Sequence, residues 1–549
     1  MFSFFQKCVK YWNTLRFLRL TQIVGRIKYK FRHTKVDLSK RNTKSELVNQ
    51  WIQSARRSQR MIGENTFNLL NETHSITKSD WNNSEWTKLW LYNLHYFDDL
   101  TAFESNQRID WHHALIDRWI NENKIGKGCG WEPYPTSLRI VNWIKWTLNG
   151  NSLEDHWINS LEIQARFLSQ NLEKHLLGNH IFANAKALMF AGLFFDGNEA
   201  KRWYDKGCKL LEKEIPEQVL SDGSNFELST MYHVIFLEDL LDLVNIHRTY
   251  NHKLPDGLEE RVKPMFSWLL AMCHPDGEIS FFNDAALGIT PSVKEIQDYG
   301  QRLSFFGLLS DVSGKNYLTK LEASGYSRVE LDNLVALIDR SNIGPDYLPA
   351  HAHADTLSFE LSLFGKRVIV NSGTSVYGKS QERQYQRSTA SHSTVVIDGE
   401  NSSEVWNGFR VARRAKVFNC KDSEQRGKIT LSACHNGYHR LYGKPTHCRK
   451  WQFSDRLLII EDRVTGKGGH EIDVVFPLHP EIEIKSIDEG NVILSVLGKQ
   501  IKVDFNGDGF LKVEKSAYYP EFGLSIENNQ LHFRLTGYLP IEVTTRISW

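Results

Sequence analysis

Cysteine is scarce in this sequence of 549 residues, which contains seven cysteines and no CxxC pair. Their odd number and irregular spacing exclude a disulfide-rich scaffold and a zinc-finger module. We therefore expect reduced thiols and a fold that needs no disulfide framework. Long apolar runs are also missing: no stretch of about 18 apolar residues occurs, so the sequence predicts no membrane-spanning helix.

Excess charge of either sign is missing from the chain as a whole, because 67 Lys and Arg against 65 Asp and Glu give a net charge of +2. A nucleic-acid-binding protein is therefore not expected. The balance hides an asymmetry, since residues 1–36 contain nine Lys or Arg and no Asp or Glu. Two interpretations of this segment stay open: a helix that contacts anionic lipid peripherally, or a solvated helix packed on the rest of the protein.

A clear export signal is also missing, because the opening segment MFSFFQKCVKYWNTLRFLRL interrupts its apolar residues with charges. Such interruptions are not typical of a signal peptide. This pattern favours a cytoplasmic or membrane-peripheral location.

The spacing of apolar residues divides the chain into three predicted parts. Residues 1–75 are predicted to form a basic helical arm. Residues 76–320 place apolar residues at intervals of three and four between Gly- and Pro-containing breaks, which predicts a layered array of α-helices. Residues 321–549 show alternating and β-branched runs separated by short turns, which predicts an antiparallel β-sandwich. The predicted fold class is therefore α+β multidomain.

A polar cluster at the entry to a predicted strand is the strongest chemical signal. In His351-Ala-His353-Ala-Asp355, alternation places the three polar side chains on one face of the strand. With His392 in ASHSTVVIDG they supply the ingredients of a zinc site, because neutral imidazoles are preferred zinc ligands. A structural hydrogen-bond network at a sheet edge explains the same residues and stays open.

A second cluster lies in the helical part. Asn179 and His180 in LLGNH stand at a predicted helix start, where an Asn serves either as a cap or as a substrate-binding amide. Tyr232 in SDGSNFELSTMYH lies just inside another helix and is either a core aromatic or a catalytic group. Together with the histidines, these residues supply a carboxylate-binding amide and an acid–base pair.

Five segments in order then make a family resemblance specific. WEPYPTSLRIVNWI, LGNHIFANAKAL, DGSNFELSTMYH, HAHADTLSFEL and RSTASHSTVVIDGE resemble the heparinase II/III-like superfamily of polysaccharide lyases. The resemblance runs from about residue 80 over nearly the whole chain. It implies an N-terminal α/α toroid (an incomplete α/α barrel), a C-terminal antiparallel β-sandwich and an active site in the cleft between them. It also makes the periplasm an alternative location.

The resemblance implies a lyase that cleaves a uronic-acid-containing glycan by β-elimination. The proton on C5 is removed and the C4 oxygen leaves, so the substrate carboxylate must be neutralised. Asn179, aided by His180, corresponds to the carboxylate-binding pair. Tyr232 corresponds to the catalytic Tyr that acts as acid, base or both, His351 to the complementary base and Tyr377 to a second Tyr.

The resemblance also implies a structural zinc ion. Its ligands correspond to His353, Asn371 and His392, and many relatives have Asp where this chain has Asn371. A neutral Asn oxygen is the poorer zinc ligand, so we expect weakened binding of one structural zinc and no organic cofactor.

Further polar residues fit an anionic, uronate-containing polysaccharide as the partner. Guanidinium groups bind carboxylates bidentately, although a solvated strand face also explains Arg383 and Arg387, and packing of the toroid interior also explains Arg139 and Asn142. Trp and Tyr rings form platforms for sugars, although core packing explains most of them. The predicted substrate-binding residues are Trp131, Arg139, Asn142, Glu227, Arg383 and Arg387.

Two other functions stay open. The first is a non-degradative glycan-binding or processing factor in bacterial capsule or exopolysaccharide assembly, which fits the missing export signal and Asn371. The second is a glycoside hydrolase, which requires two carboxylates about 5 to 10 Å apart. Asp222 and Glu227 are its candidates.

Overall fold

The computed structural model describes residues 2–32, 34–305, 317–425 and 427–549. The helices of these residues are α1 (Phe2–Leu15), α2 (Leu20–Lys30), α3 (Lys88–Tyr96), α4 (Ile109–Glu122), α5 (Pro133–Leu148), α6 (Asp155–Gln170), α7 (Gly178–Phe194), α8 (Asn198–Gln218), α9 (Thr230–Thr249), α10 (Leu258–Ala271), α11 (Val293–Arg302) and α12 (Gln381–Gln386). The helical array therefore ends before the β-rich part, which contains only the short α12.

The strands lie mostly in the second half of the chain. They are β1 (Thr43–Lys44), β2 (Met61–Gly63), β3 (Thr66–Leu69), β4 (Glu72–Ser75), β5 (Phe195–Asp196), β6 (Leu318–Leu321), β7 (Tyr326–Leu331), β8 (Leu334–Asp339), β9 (Phe359–Leu363), β10 (Lys366–Ile369), β11 (Val395–Ile397), β12 (Val405–Trp406), β13 (Arg410–Val411), β14 (Val417–Gln425), β15 (Lys428–His435), β16 (Thr446–Ser454), β17 (Leu457–Thr465), β18 (Gly469–Pro477), β19 (Glu483–Asp488), β20 (Asn491–Val496), β21 (Lys499–Asn506), β22 (Phe510–Tyr518), β23 (Ile526–Tyr538) and β24 (Ile541–Ser548).

The helices form two alternating layers of a toroid. α3, α5, α7 and α9 pack successively against one another, while α6, α8 and α10 each pack on the outside of a neighbouring member of that row. Because α5 and α7 are covered on both sides, their buried residues surround the helix axis. α8 instead keeps a mostly charged outer face.

The N-terminal segment corrects one prediction. Residues 1–75 were expected to be a helical arm, but among the described residues of this segment α-helix is found only in α1 and α2. The chain from residue 34 onward runs extended over the toroid, and its backbone is satisfied by toroid side chains. The Arg41 amide donates to Glu162 and the Ile52 amide donates to Asn245. These tertiary hydrogen bonds replace the local ones of a helix.

The second half is the predicted antiparallel sandwich. One layer is an eight-stranded sheet in the order β14-β15-β16-β17-β24-β21-β20-β19. The other layer combines the sheets β10-β9-β8-β7-β6 and β11-β18-β23-β22, which meet where the Val370 amide donates to the Pro477 carbonyl. Side chains of all three sheets share one hydrophobic core.

A disulfide corrects the expectation that all thiols are reduced. Cys434 in β15 and Cys448 in β16 stand directly opposite each other in the ladder, with their Cα atoms 4.0 Å apart, and they are bonded. Their pairing depends on strand register, which the sequence spacing does not display. Among the described residues, no helix is both long and apolar enough to cross a membrane.

Candidate active site

A cavity of about 640 Å³ lies where the toroid, the sandwich and the N-terminal segment meet. All five residues predicted to be catalytic line it. Asn179, His180 and Tyr232 come from the toroid, and His351 and Tyr377 come from the sandwich. Residues that are distant in the chain therefore share one site.

Tyr232 occupies the first turn of α9. The Ser229 hydroxyl caps this helix by accepting from the Tyr232 amide at 3.2 Å. The phenol oxygen of Tyr232 lies 3.0 Å from that of Tyr377, and its ring lies against His351 with 4.0 Å between ring centroids. Burial raises the pKa of Tyr232 well above its ordinary value, so the phenol keeps its proton at neutral pH.

His351 has one nitrogen committed and one facing the site. Its Nδ1 lies 2.9 Å from Oδ2 of Asp284, and its Nε2 lies 3.7 Å from Oε2 of Glu227. Because an ionised carboxylate only accepts, Nδ1 carries the proton and Nε2 keeps its lone pair. Burial raises the pKa of Glu227, whose carboxylate lies on the Nε2 side of His351 but is not part of the cavity wall.

Asp284 is the functional residue that the sequence reasoning missed. It is fully buried and also contacts His353 Nε2 at 2.8 Å and the Arg383 guanidinium at 2.7 Å. Although burial opposes its charge, Arg383 and the two histidines hold the pKa of Asp284 well below its ordinary value. Its segment SFFNDAAL has no local sign of this role, because Asp284 lies 67 residues or more from these partners in the chain.

Asn179 and His180 stand at the N-terminus of α7, where the helix dipole favours an anion and where the Asn179 backbone amide already donates to the buried Glu227 carboxylate. Gly178 allows this helix end to pack closely against Leu348. Its φ is +55°, and a Cβ at this position would lie 2.5 Å from the Leu348 side chain. His180 Nδ1 lies 3.2 Å from Glu173. Although burial opposes the charge, Glu173 raises the pKa of His180 above its ordinary value. This corner suits a carboxylate.

The predicted zinc ligands show an unusual proton arrangement. The ionised Asp284 accepts the Nε2 proton of His353, and the Ser388 carbonyl accepts the Nδ1 proton of His392 at 2.7 Å. Both remaining nitrogens then present lone pairs, and they face each other at 3.1 Å. Facing lone pairs repel unless a cation or an additional proton lies between them. Asn371 is fully buried, and both polar atoms of its side chain have no partner among the described residues.

A second buried histidine pair provides the contrast. His435 Nε2 also lies 3.1 Å from His447 Nδ1. Here the Gly437 amide donates to His435 Nδ1, so Nε2 carries a proton and donates an ordinary hydrogen bond. In the neutral pair of His353 and His392, neither of the two facing nitrogens carries a proton. Two lone pairs that face each other in this way fit a metal ion between them.

Two predicted substrate-binding residues are core residues instead. Trp131 packs on Trp119 with 5.6 Å between ring centroids, and the Arg139 guanidinium lies 3.8 Å above the same Trp119 ring. Arg139 is fully buried, donates to Gln164 and is not part of the cavity wall. The residues of α5 that line the cavity lie on a different face of the helix from Arg139. They are Leu138, Val141, Asn142 and Lys145, so the prediction for Asn142 agrees with its position.

Arg383 and Arg387 are also fully buried and do not line the cavity. Arg383 pairs with Asp284, and Arg387 donates to backbone carbonyls, including that of Ala352. Both were predicted to bind substrate, but in the structure both form buried hydrogen bonds within the protein. Asp222, a hydrolase candidate, accepts from Ser324 and lies outside the cavity, so it does not pair with Glu227 across a substrate.

Among the described residues that line the cavity, six Asp or Glu outnumber four Lys or Arg. Arg57 pairs with Glu238 at 2.6 Å, Lys145 with Asp242 at 3.0 Å and Lys186 with Asp239 at 2.6 Å. Lys88 at the edge pairs with Glu132. Every Lys and Arg that lines the cavity in the described part of the chain is therefore neutralised by a carboxylate.

Comparison with known proteins places this geometry in context. The family model "Heparinase II/III N-terminus" matches residues 147–308, and "Heparinase II/III-like, C-terminal" matches residues 314–549. A heparin-sulfate lyase from Pedobacter heparinus is 26% identical over 265 residues, which cover 45% of this chain and 39% of the relative. One from Bacteroides thetaiotaomicron is 23% identical over 337 residues, which cover 52% of this chain and 47% of the relative.

A solved structure shares the fold. Heparinase III superposes with a TM-score of 0.70 at 17% identity, and the match covers 96% of this chain and 89% of that one. The two lyase sequences, in contrast, are matched over less than half of their own length. The structural likeness identifies the architecture as the α/α toroid followed by the β-sandwich.

Proposed function

Because this chain belongs to the heparinase II/III-like family, we propose that it is a polysaccharide lyase that cleaves a uronic-acid-containing glycan by β-elimination. The observation that carries the proposal is the contact of Tyr232 and His351 beside the N-terminus of α7. That corner combines a phenol, a free imidazole nitrogen and an anion-binding helix end. β-Elimination next to a carboxylate needs all three.

Asn179 and His180 would bind the uronate carboxylate in this reaction. The Asn179 amide donates a hydrogen bond, and His180, whose pKa is raised by Glu173, supplies positive charge. Negative charge moves onto the carboxylate as the C5 proton leaves, so these contacts strengthen in the transition state. Interactions that strengthen in this way lower the barrier.

His351 and Tyr232 would divide the proton transfers between them. His351 Nε2 accepts the C5 proton, while Asp284 holds the Nδ1 proton and stabilises the resulting imidazolium. The phenol of Tyr232 donates its proton to the C4 oxygen, whose bond to C4 breaks as the C4–C5 double bond forms. After the product leaves, the proton held by His351 returns to Tyr232, either directly or through Tyr377, which lies within hydrogen-bond distance of Tyr232. No water is consumed.

His353, Asn371 and His392 would hold a zinc ion behind this site. The ion would have a structural role, neutralising two facing lone pairs and joining the segment of His351 to that of His392. Asp284 connects this set to the acid–base pair, since it contacts both His351 and His353.

Because each Lys and Arg on the described cavity wall is paired with a carboxylate, the wall limits which polymers fit as substrates. A highly sulfated polymer would need unpaired Lys or Arg side chains, and each one that lines the described cavity already has a carboxylate partner. Displacing the partner of Arg57, Lys145 or Lys186 would leave a buried carboxylate uncompensated, which is costly, and only the exposed pair of Lys88 and Glu132 could be opened cheaply. The substrate that fits is therefore a uronate polymer with few or no sulfate groups.

The test is to incubate the purified protein with matched uronate polymers that differ in sulfation. Formation of the unsaturated uronate is followed by its ultraviolet absorbance. We expect product from a polymer of low sulfation and a lower kcat/KM for its sulfated counterpart. Absence of an unsaturated product with every uronate polymer, including bacterial capsule and exopolysaccharide, would contradict lyase activity. Preference for the sulfated form would contradict only the substrate assignment.

A further inference from the structure

α2 is an amphipathic helix whose apolar side faces outward. Leu20, Ile23, Val24 and Ile27 follow helical spacing along one stripe, which Phe31 extends beyond the helix end. These side chains are 42% to 78% exposed. Five of the 24 exposed large hydrophobic residues in the described chain therefore lie along this one short stripe. Such a concentration marks an interaction surface.

The polar side of α2 is the side that packs on the protein. The buried Gln22 side chain donates to the Tyr347 carbonyl, and the Arg19 guanidinium lies over the Tyr347 ring at 3.6 Å. Gly25 allows the close approach, because a Cβ there would lie 2.9 Å from the Cβ of His175. The helix is therefore fixed with its apolar stripe in solvent, and rotation would break these polar contacts.

Positive charge surrounds the exposed stripe. Residues 1–36 carry nine Lys or Arg and no Asp or Glu, and Arg26, Lys28, Lys30 and Arg32 are exposed beside it. A second copy of this chain would bring the same cations against themselves, which opposes self-association. An anionic lipid surface complements both features, since it takes up apolar side chains and attracts Lys and Arg.

The two N-terminal helices also contact segments that lie next to the cavity wall. α2 contacts Tyr347, and the next residue, Leu348, packs at Gly178 beside Asn179. Tyr11 of α1 lies 4.9 Å from Trp406, close in the chain to Phe409 of the cavity wall. We propose that α1 and α2 dock the protein on an anionic lipid bilayer, with the cavity held near the membrane surface. This inference does not depend on the proposed reaction.

The test is flotation of the full-length protein with vesicles of phosphatidylcholine, alone or mixed with phosphatidylglycerol. We expect binding to the mixed vesicles that weakens with added salt, because charge contributes. The double variant Ile23→Ser with Ile27→Ser should partition roughly tenfold less. The matched control, Ile487→Ser with Leu497→Ser, removes two exposed apolar residues of the sandwich and should bind like the unmodified protein.

Three outcomes would overturn the proposal. They are absence of binding to mixed vesicles, equal binding by the two double variants, and a dimer that dissociates when Ile23 and Ile27 are replaced. Light scattering after size-exclusion chromatography measures the last of these. A circular dichroism spectrum matching the unmodified protein ensures that the variants are compared in the folded state.

Discussion

Individual side chains decide the chemistry of this site through the positions of their protons. Asp284 fixes the tautomer of His351 and leaves Nε2 as the free base. Burial keeps the Tyr232 phenol protonated, which suits it to donate rather than accept at the start of the reaction. An acid and a base are thus prepared in contact before substrate arrives.

Replacing Tyr232 by Phe removes the proposed acid and little else. We expect kcat to fall by roughly 10²- to 10⁴-fold while KM changes little, because the phenol acts on the leaving oxygen. Tyr250→Phe is the matched control, since Tyr250 ends the same helix and lies outside the cavity. Full activity in Tyr232→Phe, measured by initial rates, would refute the assignment.

His180 predicts a pH dependence of substrate binding. Its pKa is raised above the ordinary 6.5, so its positive charge persists to a higher pH and is lost as pH rises through the folded-state value. KM should therefore increase on that alkaline side. In His180→Gln, KM should be roughly tenfold higher at low pH and should no longer change there with pH. His252→Gln, an exposed control, should keep the original profile; an unchanged profile in His180→Gln would exclude this role.

At the scale of helices and strands, the geometry of the site depends on the hydrogen bonds that connect the start of one helix to a neighbouring segment. Ser229 both caps α9 and donates to the Asp284 carbonyl. One hydroxyl therefore connects the helix that carries Tyr232 to the segment that orients His351.

Ser229→Ala should show this connection. Loss of the cap should lower the free energy of unfolding by about 1 kcal/mol, and kcat should fall by roughly tenfold because Tyr232 shifts relative to His351. Ser292→Ala removes the corresponding cap of α11 and should cost similar stability without changing kcat. Urea denaturation and initial rates measure both effects; equal activity in the two variants would contradict the connection.

The proposed zinc site would connect the chain segments that contain His353, Asn371 and His392. The metal content of the purified protein tests it. We expect about one zinc per chain in the purified protein and less than roughly a tenth as much in His392→Ala. His435→Gln alters the other buried histidine pair and should retain zinc. A chelator should lower the Tm of the unmodified protein. Zinc content that is low in the unmodified protein, or equal in both variants, would contradict the site.

Element type and motif order could be read from the sequence, but the orientation of side chains could not. The five residues predicted to be catalytic meet in one cavity, because each stands at the start of a helix or on a loop of the sandwich. α5 carries apolar residues on all sides, so no polar face distinguished Asn142 from Arg139. Asp284 and Arg383 depend on contacts 99 residues apart in the chain. Such pairings become visible only in the folded protein.

At the scale of the whole molecule, charge is separated by region. The cavity wall has more carboxylates than Lys or Arg side chains, whereas the N-terminal helices are basic and expose apolar side chains. The proposed attraction to an anionic surface therefore resides in these helices, and the proposed recognition of a carboxylate in the cavity uses Asn179 and His180. The two functions can be altered separately by mutation.

The most direct test of the central claim is the mass of the products formed in ¹⁸O-labelled water. β-Elimination consumes no water, so one product should carry an unsaturated uronate, lighter by one water than the hydrolysis product. Neither new end should contain more ¹⁸O than the slow exchange of a reducing-end hydroxyl introduces, which is measured on the preformed product in the same water. Loss of this product in Tyr232→Phe would tie it to the site. Incorporation of ¹⁸O at a new reducing end, with saturated products, would show hydrolysis and contradict the account.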